Sequence, residues 1–321
     1  MQPSRRAPSG RLGAALALAA AAIALGAGCG GDGGATDGAG GLGQAGSGGM
    51  LGWAISQRPR QIDPLWARSR SQQLVARQIY EPLVEQLSGP YGEARIESGL
   101  AIPHAASQAT IWRLRLRSGV RFQDGRRFDA AAVLANVRRW QASGPGRALL
   151  PDLVAADAPR PDLVRFVLDR SDQDFSADLS SPRLGIVSPR ALAAGSKLAW
   201  KERAGTGPFE LREHSGLHVL VARNLDWWGT GRHLGPALDQ VDFRVAASAT
   251  ERLRMLRAGE VQVADQLGPS ELVRVRKDPL LTSLPGPGDT GLGLERSVRG
   301  IDTASGIPIL SGAWLTTIGA G

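Results

Sequence analysis

The 321-residue chain has a single cysteine, Cys29, which excludes an internal disulfide and any metal site built from several thiolates. Its four histidines lack ligand-like order. His214 and His218 are four apart, but alternating neighbours and Gly216 point to strands, not to one metal-binding helical face. His104 and His233 have no ligand-like neighbours. Asp157, Asp169, Asp172, Asp174 and Asp178 are irregularly spaced in turn-rich sequence and read as solvated loop residues. No G-x-S-x-G, HExxH or P-loop pattern is present, and no repeat of solenoid length. With no catalytic constellation and no cofactor or metal motif, the chain reads as a non-enzyme. The formal charge of +8 is thinly spread, which favours solvated arginine-rich faces over binding to anionic lipid headgroups, and outside the cytoplasm there is little nucleic acid to meet.

Apart from one N-terminal run, no stretch is apolar enough to span a membrane. Arg5, Arg6 and Arg11 precede or open that run, the uncharged residues 12–28, which is too short and alanine-rich for a comfortable span. It ends in Leu25-Gly26-Ala27-Gly28-Cys29, which resembles a bacterial lipoprotein signal. The larger aliphatic stands four residues before the cysteine, where three is usual. The expectation is cleavage after residue 28, lipidation of Cys29 and an extracytoplasmic location (periplasm or cell surface), anchored to a membrane by lipid. Residues 30–49 contain eleven glycines in twenty and read as a flexible tether (29–50) with an r.m.s. span of roughly 25 Å. Several acyl chains hold a protein where one would not, at about 0.8 kcal/mol per buried CH₂.

The rest reads as mixed α/β without strict βαβ alternation. Strands are expected at 50–55, 111–117, 153–156, 163–168, 209–213, 217–222, 241–245 and 261–264. Helices are expected at 69–80, from Asp129 to Trp140, near Ala191, at 250–257 and from Pro269 to before Pro279. In 111–117 Trp112, Leu114 and Leu116 alternate with Arg113, Arg115 and Arg117, so one face is buried and one wet. Asp124-Gly125 is a hairpin-type turn.

The order of several short motifs is more specific than any one of them. Ile62-Asp63-Pro64 comes first, then Gln78-Ile79-Tyr80-Glu81-Pro82-Leu83-Val84, then WRLRLRSGVRFQDG from Trp112 to Gly125. They continue through Phe128 to Trp140, GTGPF at 205–209, Asn224-Leu225-Asp226-Trp227-Trp228, and the run from Leu256 to Asp265. Together they resemble the family 5 extracytoplasmic solute-binding proteins, the oligopeptide, dipeptide and nickel receptors of ABC importers, over residues 51–285. The resemblance implies a class II periplasmic-binding-protein-like α/β fold, with mixed sheets and flanking helices. It implies an extended ligand held by main-chain hydrogen bonds in a cleft, a mode that tolerates varied side chains. A peptide or other small solute and the permease subunits are the implied partners.

The implied cleft residues are Ala54, Ile55, Ser56, Gln57 and Arg58, with Gly205, Thr206, Gly207, Trp227 and Trp228. Plain packing accounts equally well for the tryptophans, and a turn needing positive φ for Gly205 and Gly207. A phosphate cradle does not fit, since no Lys-Ser or Lys-Thr follows and Pro208 lacks an amide donor. The domain expectation is a signal (1–28), a tether (29–50), a first lobe (51–285) with a smaller β-rich subdomain at about 88–190, and a short tail (286–321). Members of the family continue past the segment matching 256–280 into a second lobe. Residues 282–321 hold too little apolar material for one, so 314–318 is expected as a closing strand of the first. Two other readings stand beside the importer receptor: a non-transporting lipoprotein that binds a protein partner, and a truncated product with neither activity.

Overall fold

A computed structural model describes residues 48–88, 94–108, 110–194, 205–230, 236, 238–284 and 296–299. Cys29, the signal, most of the tether, His233 and the expected closing strand at 314–318 lie outside the described residues.

Strand β1 (Met50–Ile55) is apolar at nearly every position and buried on both faces after Met50, as a strand covered on both sides of a sheet must be. Helix α1 (Arg70–Ile79) follows a short 3₁₀ turn at Pro64–Trp66. Ser69 Oγ accepts the Gln72 N–H (3.2 Å), and the Gln72 side chain accepts the Ser69 N–H (3.2 Å). This reciprocal cap fixes where the helix starts. Leu74, Val75 and Ile79 pack with Trp53 and Phe243 in one apolar cluster.

β2 (Glu85–Ser88) and β3 (Ala94–Glu97) form an antiparallel pair. β4 (Ala101–Gln108), β5 (Ile111–Leu116), β6 (Leu153–Arg160) and β7 (Leu163–Leu168) form a four-stranded antiparallel sheet in the order β4-β5-β7-β6. The alternation in β5 is realised: Trp112, Leu114 and Leu116 are buried while Arg113 and Arg115 are exposed. They pack with Val133, Val137 and Trp140 of α2 (Ala130–Ala142), whose first turn is capped by Asp129 Oδ1 accepting the Ala132 N–H (2.9 Å). Three short helices follow the same stretch: α3 (Gly144–Leu149), α4 (Phe175–Asp178) and α5 (Pro189–Ala193). Asn136, fully buried, donates to Val187 O (2.8 Å) and accepts the Val187 N–H (3.0 Å). Asp63 pairs with Arg139 of α2. These polar ties join the 3₁₀ turn and the 186–188 segment to α2.

The chain then adds β8 (Phe209–His214), β9 (His218–Arg223), β10 (Gln240–Val245), α6 (Ala249–Arg257), β11 (Val263–Ala264), α7 (Pro269–Arg276), β12 (Leu281–Leu284) and β13 (Arg296–Arg299). The large sheet has the order β12-β13-β11-β1-β10-β9-β8. β1 runs parallel to both β10 and β11, with Trp53 opposite Phe243 and Val263; the remaining pairs are antiparallel.

Three differences from expectation have physical reasons. β6 runs on through Pro159 to Arg160, because an edge strand does not need that amide for a second neighbour. β4, with Pro103 and no alternation, is likewise an edge strand. The strand expected at 261–264 is paired only at Val263–Ala264, and β13 lies between β12 and β11.

Candidate functional site

β10, β1 and β11 end side by side, and the carboxyl edge of parallel strands is where an open α/β sheet offers a crevice. The chain leaving β1 presents Ser56, half-buried, and Gln57 and Arg58, exposed. Ser56 Oγ donates to the Gln266 side chain and lies 3.4 Å from Ser71 Oγ. Ser71 Oγ also accepts the Gln57 N–H (3.2 Å). Ala54 and Ile55 are wholly buried, and their carbonyls already accept the N–H groups of Asp265 (3.0 Å) and Ala246 (2.9 Å). Of the five residues expected here, three face the edge and two belong to the sheet.

Arg252 makes this edge rigid. Nε donates to Asp265 O (2.7 Å), Nη1 to Ala246 O (2.7 Å) and Ala247 O (2.9 Å), and Nη2 to Gln266 O (2.6 Å). One buried guanidinium thus satisfies four carbonyls beyond the ends of β10 and β11, and burial pulls its pKa below the usual value. Gln266, which it grips, has φ +54°, the left-handed region that non-glycine residues seldom adopt. Beside it Arg70 Nε stands 3.4 Å from the buried Asp265 carboxylate. Sequence reasoning missed Ser71, Arg252 and Gln266. One signal was available for Arg252: it stands at i−3 and i−4 to the buried Met255 and Leu256, a charge on an apolar helical face.

The GTGP loop sits at the other end of α1. Gly207 N–H donates to Ile79 O (2.9 Å), and Gln123 N–H donates to Gly205 O (2.8 Å). The Gln123 side-chain amide donates to Gly207 O (3.2 Å) and Phe209 O (2.8 Å), and that of Asn224 to Gly207 O (3.0 Å). Neither glycine has positive φ, so the alternative of a left-handed turn does not account for them. Glycine is required by close approach: a Cβ on Gly205 would lie 1.8 Å from Ile79 O, and one on Gly207 2.5 Å from Gln78 O. Ser71 is in the first turn of α1 and Ile79 is its last residue. At 1.5 Å per residue the two groups of expected cleft residues are therefore separated by about 12–15 Å of helix.

Thr206, Trp227 and Trp228 converge on a residue that was not singled out, Glu81. Trp227 Nε1–H donates to Glu81 Oε1 (3.2 Å), and Trp228 Nε1–H is shared between Oε1 (3.1 Å) and Oε2 (3.0 Å). The rings lie 5.0 Å apart at 48°, and the Arg117 guanidinium stands 4.4 Å from the Trp228 ring centroid, a cation–π distance. Trp227 is buried and Trp228 half-buried. Burial pushes the Glu81 carboxyl up to about 8, against the indole donors and the nearby Thr206 hydroxyl, which favour the charged form. Thr206 Oγ1 is itself buried and makes no hydrogen bond within strict distance and angle limits. An acid between Tyr80 and Pro82 at a helix end was the visible signal for Glu81.

The remaining candidates separate. His214 and His218 lie on adjacent strands; the His218 ring stands 3.2 Å from both Asp242 and Glu213 carboxylates. Among the described residues no three His, Cys, Asp or Glu side chains are grouped to hold a metal ion.

Comparison with known proteins places this architecture. Residues 96–298 match the family described as bacterial extracellular solute-binding proteins, family 5 Middle. The glutathione-binding protein GsiB of Escherichia coli (strain K12) is 31% identical over 218 residues, 66% of this chain and 41% of that protein. Among solved structures, the periplasmic binding protein AgaA of A. tumefaciens R10, in complex with agropinic acid, aligns with a TM-score of 0.66 at 24% identity. It covers 74% of this chain and 48% of AgaA. NikA from Brucella suis, in complex with Fe(III)-EDTA, gives 0.63 at 25% identity, with 74% and 48% covered. DppA from Helicobacter pylori, in complex with the peptide STSA, gives 0.63 at 22%, with 74% and 51% covered. The chain spans about 41% of the length of the curated relatives it matches. Its fold is the class II periplasmic-binding-protein type, α/β with mixed sheets and flanking helices. With a match across more than half its length, the chain belongs to family 5 of the bacterial extracellular solute-binding proteins.

Proposed function

We propose that this protein is the solute-binding component of an ABC importer, held to the outer face of a membrane by lipid on Cys29, and that it takes a peptide-like solute for delivery to a permease. The observation that supports the reading is the carboxyl edge of β1 and β11, a crevice edge in a chain of this family. Ser56, Gln57, Arg58 and Gln266 offer hydroxyl, amide and guanidinium groups there on a support locked by Arg252. Such groups pair with main-chain or charged groups of a solute and leave its side chains unread. Trp228, half-exposed at the far end of α1, is the second contact region. Gly205, Thr206, Gly207 and Trp227 act behind it as support. Peptide, glutathione, agropinic acid and chelated iron are what the named relatives bind, so small polar solutes are the class to test. The glycine-rich tether keeps the binder concentrated beside its membrane partner.

A thermal-shift screen of the full chain in detergent, against peptide pools, glutathione and chelates of Ni²⁺ and Fe³⁺, tests the solute. A ligand at 100 times its Kd stabilises the fold by about 2.7 kcal/mol, a shift of several degrees. No response to any of them, together with tight retention of a protein partner, removes the importer reading in favour of a protein-docking lipoprotein. For the anchor, cells expressing the chain should incorporate labelled palmitate into it, and Cys29→Ser should abolish the label. Persistence of label in the variant, or none in the parent, removes the anchor.

A further inference from the structure

We propose that Glu81 is a proton-operated clamp on Trp228: ionised, it holds the indole N–H with both carboxylate oxygens; protonated, with one. This goes beyond solute binding and is tested without a solute.

The argument starts from which atoms can accept and donate. Indole N–H groups only donate. Oε1 accepts from both tryptophans, at 3.2 and 3.1 Å, whereas Oε2 accepts from Trp228 alone, at 3.0 Å. A proton placed on Oε1 opposes two donors, and on Oε2 only one, so Oε2 is the site of protonation. The new O–H then needs an acceptor. The nearby Thr206 hydroxyl can turn to supply it: it accepts as readily as it donates, it is buried at 1% exposure, and as it stands it makes no hydrogen bond among the described residues. The ionised carboxylate is satisfied by the indole donors, and the protonated one gains an acceptor when the Thr206 hydroxyl turns toward it, the two arrangements a two-state element requires. Trp227, fixed through Oε1, keeps its bond in both. Trp228 loses one of two.

The charges around Glu81 do not pre-empt the switch. Glu85, the carboxylate that acts on it, opposes ionisation and is paired with Arg77 of α1. Arg183, in the segment whose Ile186 N–H donates to Glu81 O (2.9 Å), donates through Nη2 to Leu65 O (3.1 Å) and is not among the charges that act on Glu81. Asp226 is exposed. Arg117 meets the far face of Trp228 and donates to Gly99 O (2.9 Å) and Ser98 O (3.2 Å). The clamp thus connects the 224–230 segment, through one ring and one guanidinium, to the chain entering β4. Burial holds Glu81 near 8, so the change of state falls within the range an extracytoplasmic protein meets.

The experiment is ¹⁹F NMR of the full chain in detergent, labelled with 5-fluorotryptophan, titrated from about pH 6 to about pH 9.5. Trp227→Phe and Trp228→Phe assign the two signals. Trp228 should titrate with a midpoint near 8 and the larger shift, Trp227 with the smaller one. Glu81→Gln should abolish both titrations. Trp228→Phe removes a donor that favours the ionised form and should move the midpoint seen at Trp227 upward, which keeps the test open if Glu81→Gln does not fold. A Trp228 signal flat with pH, a Trp227 shift as large as that of Trp228, a titration that survives Glu81→Gln, or a midpoint unmoved by Trp228→Phe overturns the clamp.

Discussion

Gly205→Ala should destabilise the protein by about 4 kcal/mol or more, enough to leave little native state in a domain of ordinary stability. The added Cβ would fall 1.8 Å from Ile79 O, 2.6 Å from Ile79 C and 3.0 Å from Tyr80 Cδ1. The first two are main-chain atoms at the end of α1, where Tyr80 N–H is bonded to Ala76 O (2.8 Å), so no rotamer change relieves the clash. Overpacking against movable side chains costs about 1–3 kcal/mol. Here the loop must withdraw, which also breaks Gly207 N–H to Ile79 O and loosens both Gln123 contacts. Gly216→Ala is the control. Its nearest neighbour is the Arg58 guanidinium at 3.7 Å and its φ is ordinary, so its effect should stay within about 0.5 kcal/mol. Urea midpoints of the three proteins decide the matter; a Gly205→Ala midpoint equal to that of the parent sinks the packing account.

That glycine shows where sequence stops being legible. The GTGPF run was visible as a motif, but its reason was not, because Gly205 and Ile79 are far apart in sequence and only their distance explains the glycine. Local features could be read. Ser69 and Asp129 announce helices through caps three residues long, and the alternation of β5 announces a half-buried strand. β4 could not be read, since an edge strand of AIPHAASQ lacks alternation, contains Pro103 and has a single β-branched residue, Ile102. The site divides in the same way. Ser56, Gln57 and Arg58 follow a strand that can be recognised from its own residues. Gln266, 210 residues further on, meets Ser56 only because β11 lies beside β1. The Trp227–Trp228 pair was picked for aromaticity, while the carboxyl that organises it is 146 residues away.

The stability of the protein should fall as pH rises from about 5 to about 8, and Glu81 should account for most of the fall. In the unfolded chain its carboxyl loses its proton near the ordinary 4.5, and in the folded chain near 8. Between those values the folded state binds more protons than the unfolded state, so the slope of unfolding free energy with pH is negative. The contribution is complete below about 4.5 and lost as pH passes 8. At 1.36 kcal/mol per pH unit the span is on the order of 5 kcal/mol. Burial also raises the carboxyls of Asp63 and Glu85, which slope the same way. Glu251 and Glu260 are held low by Arg254 and slope the other way, but both are exposed and screened. The comparison must therefore be between variants. Glu81→Gln keeps an acceptor for the indole N–H groups and cannot ionise, so its urea midpoint should change far less between pH 5 and pH 8.5 than that of the parent. Parallel profiles would assign the slope to Asp63 and Glu85.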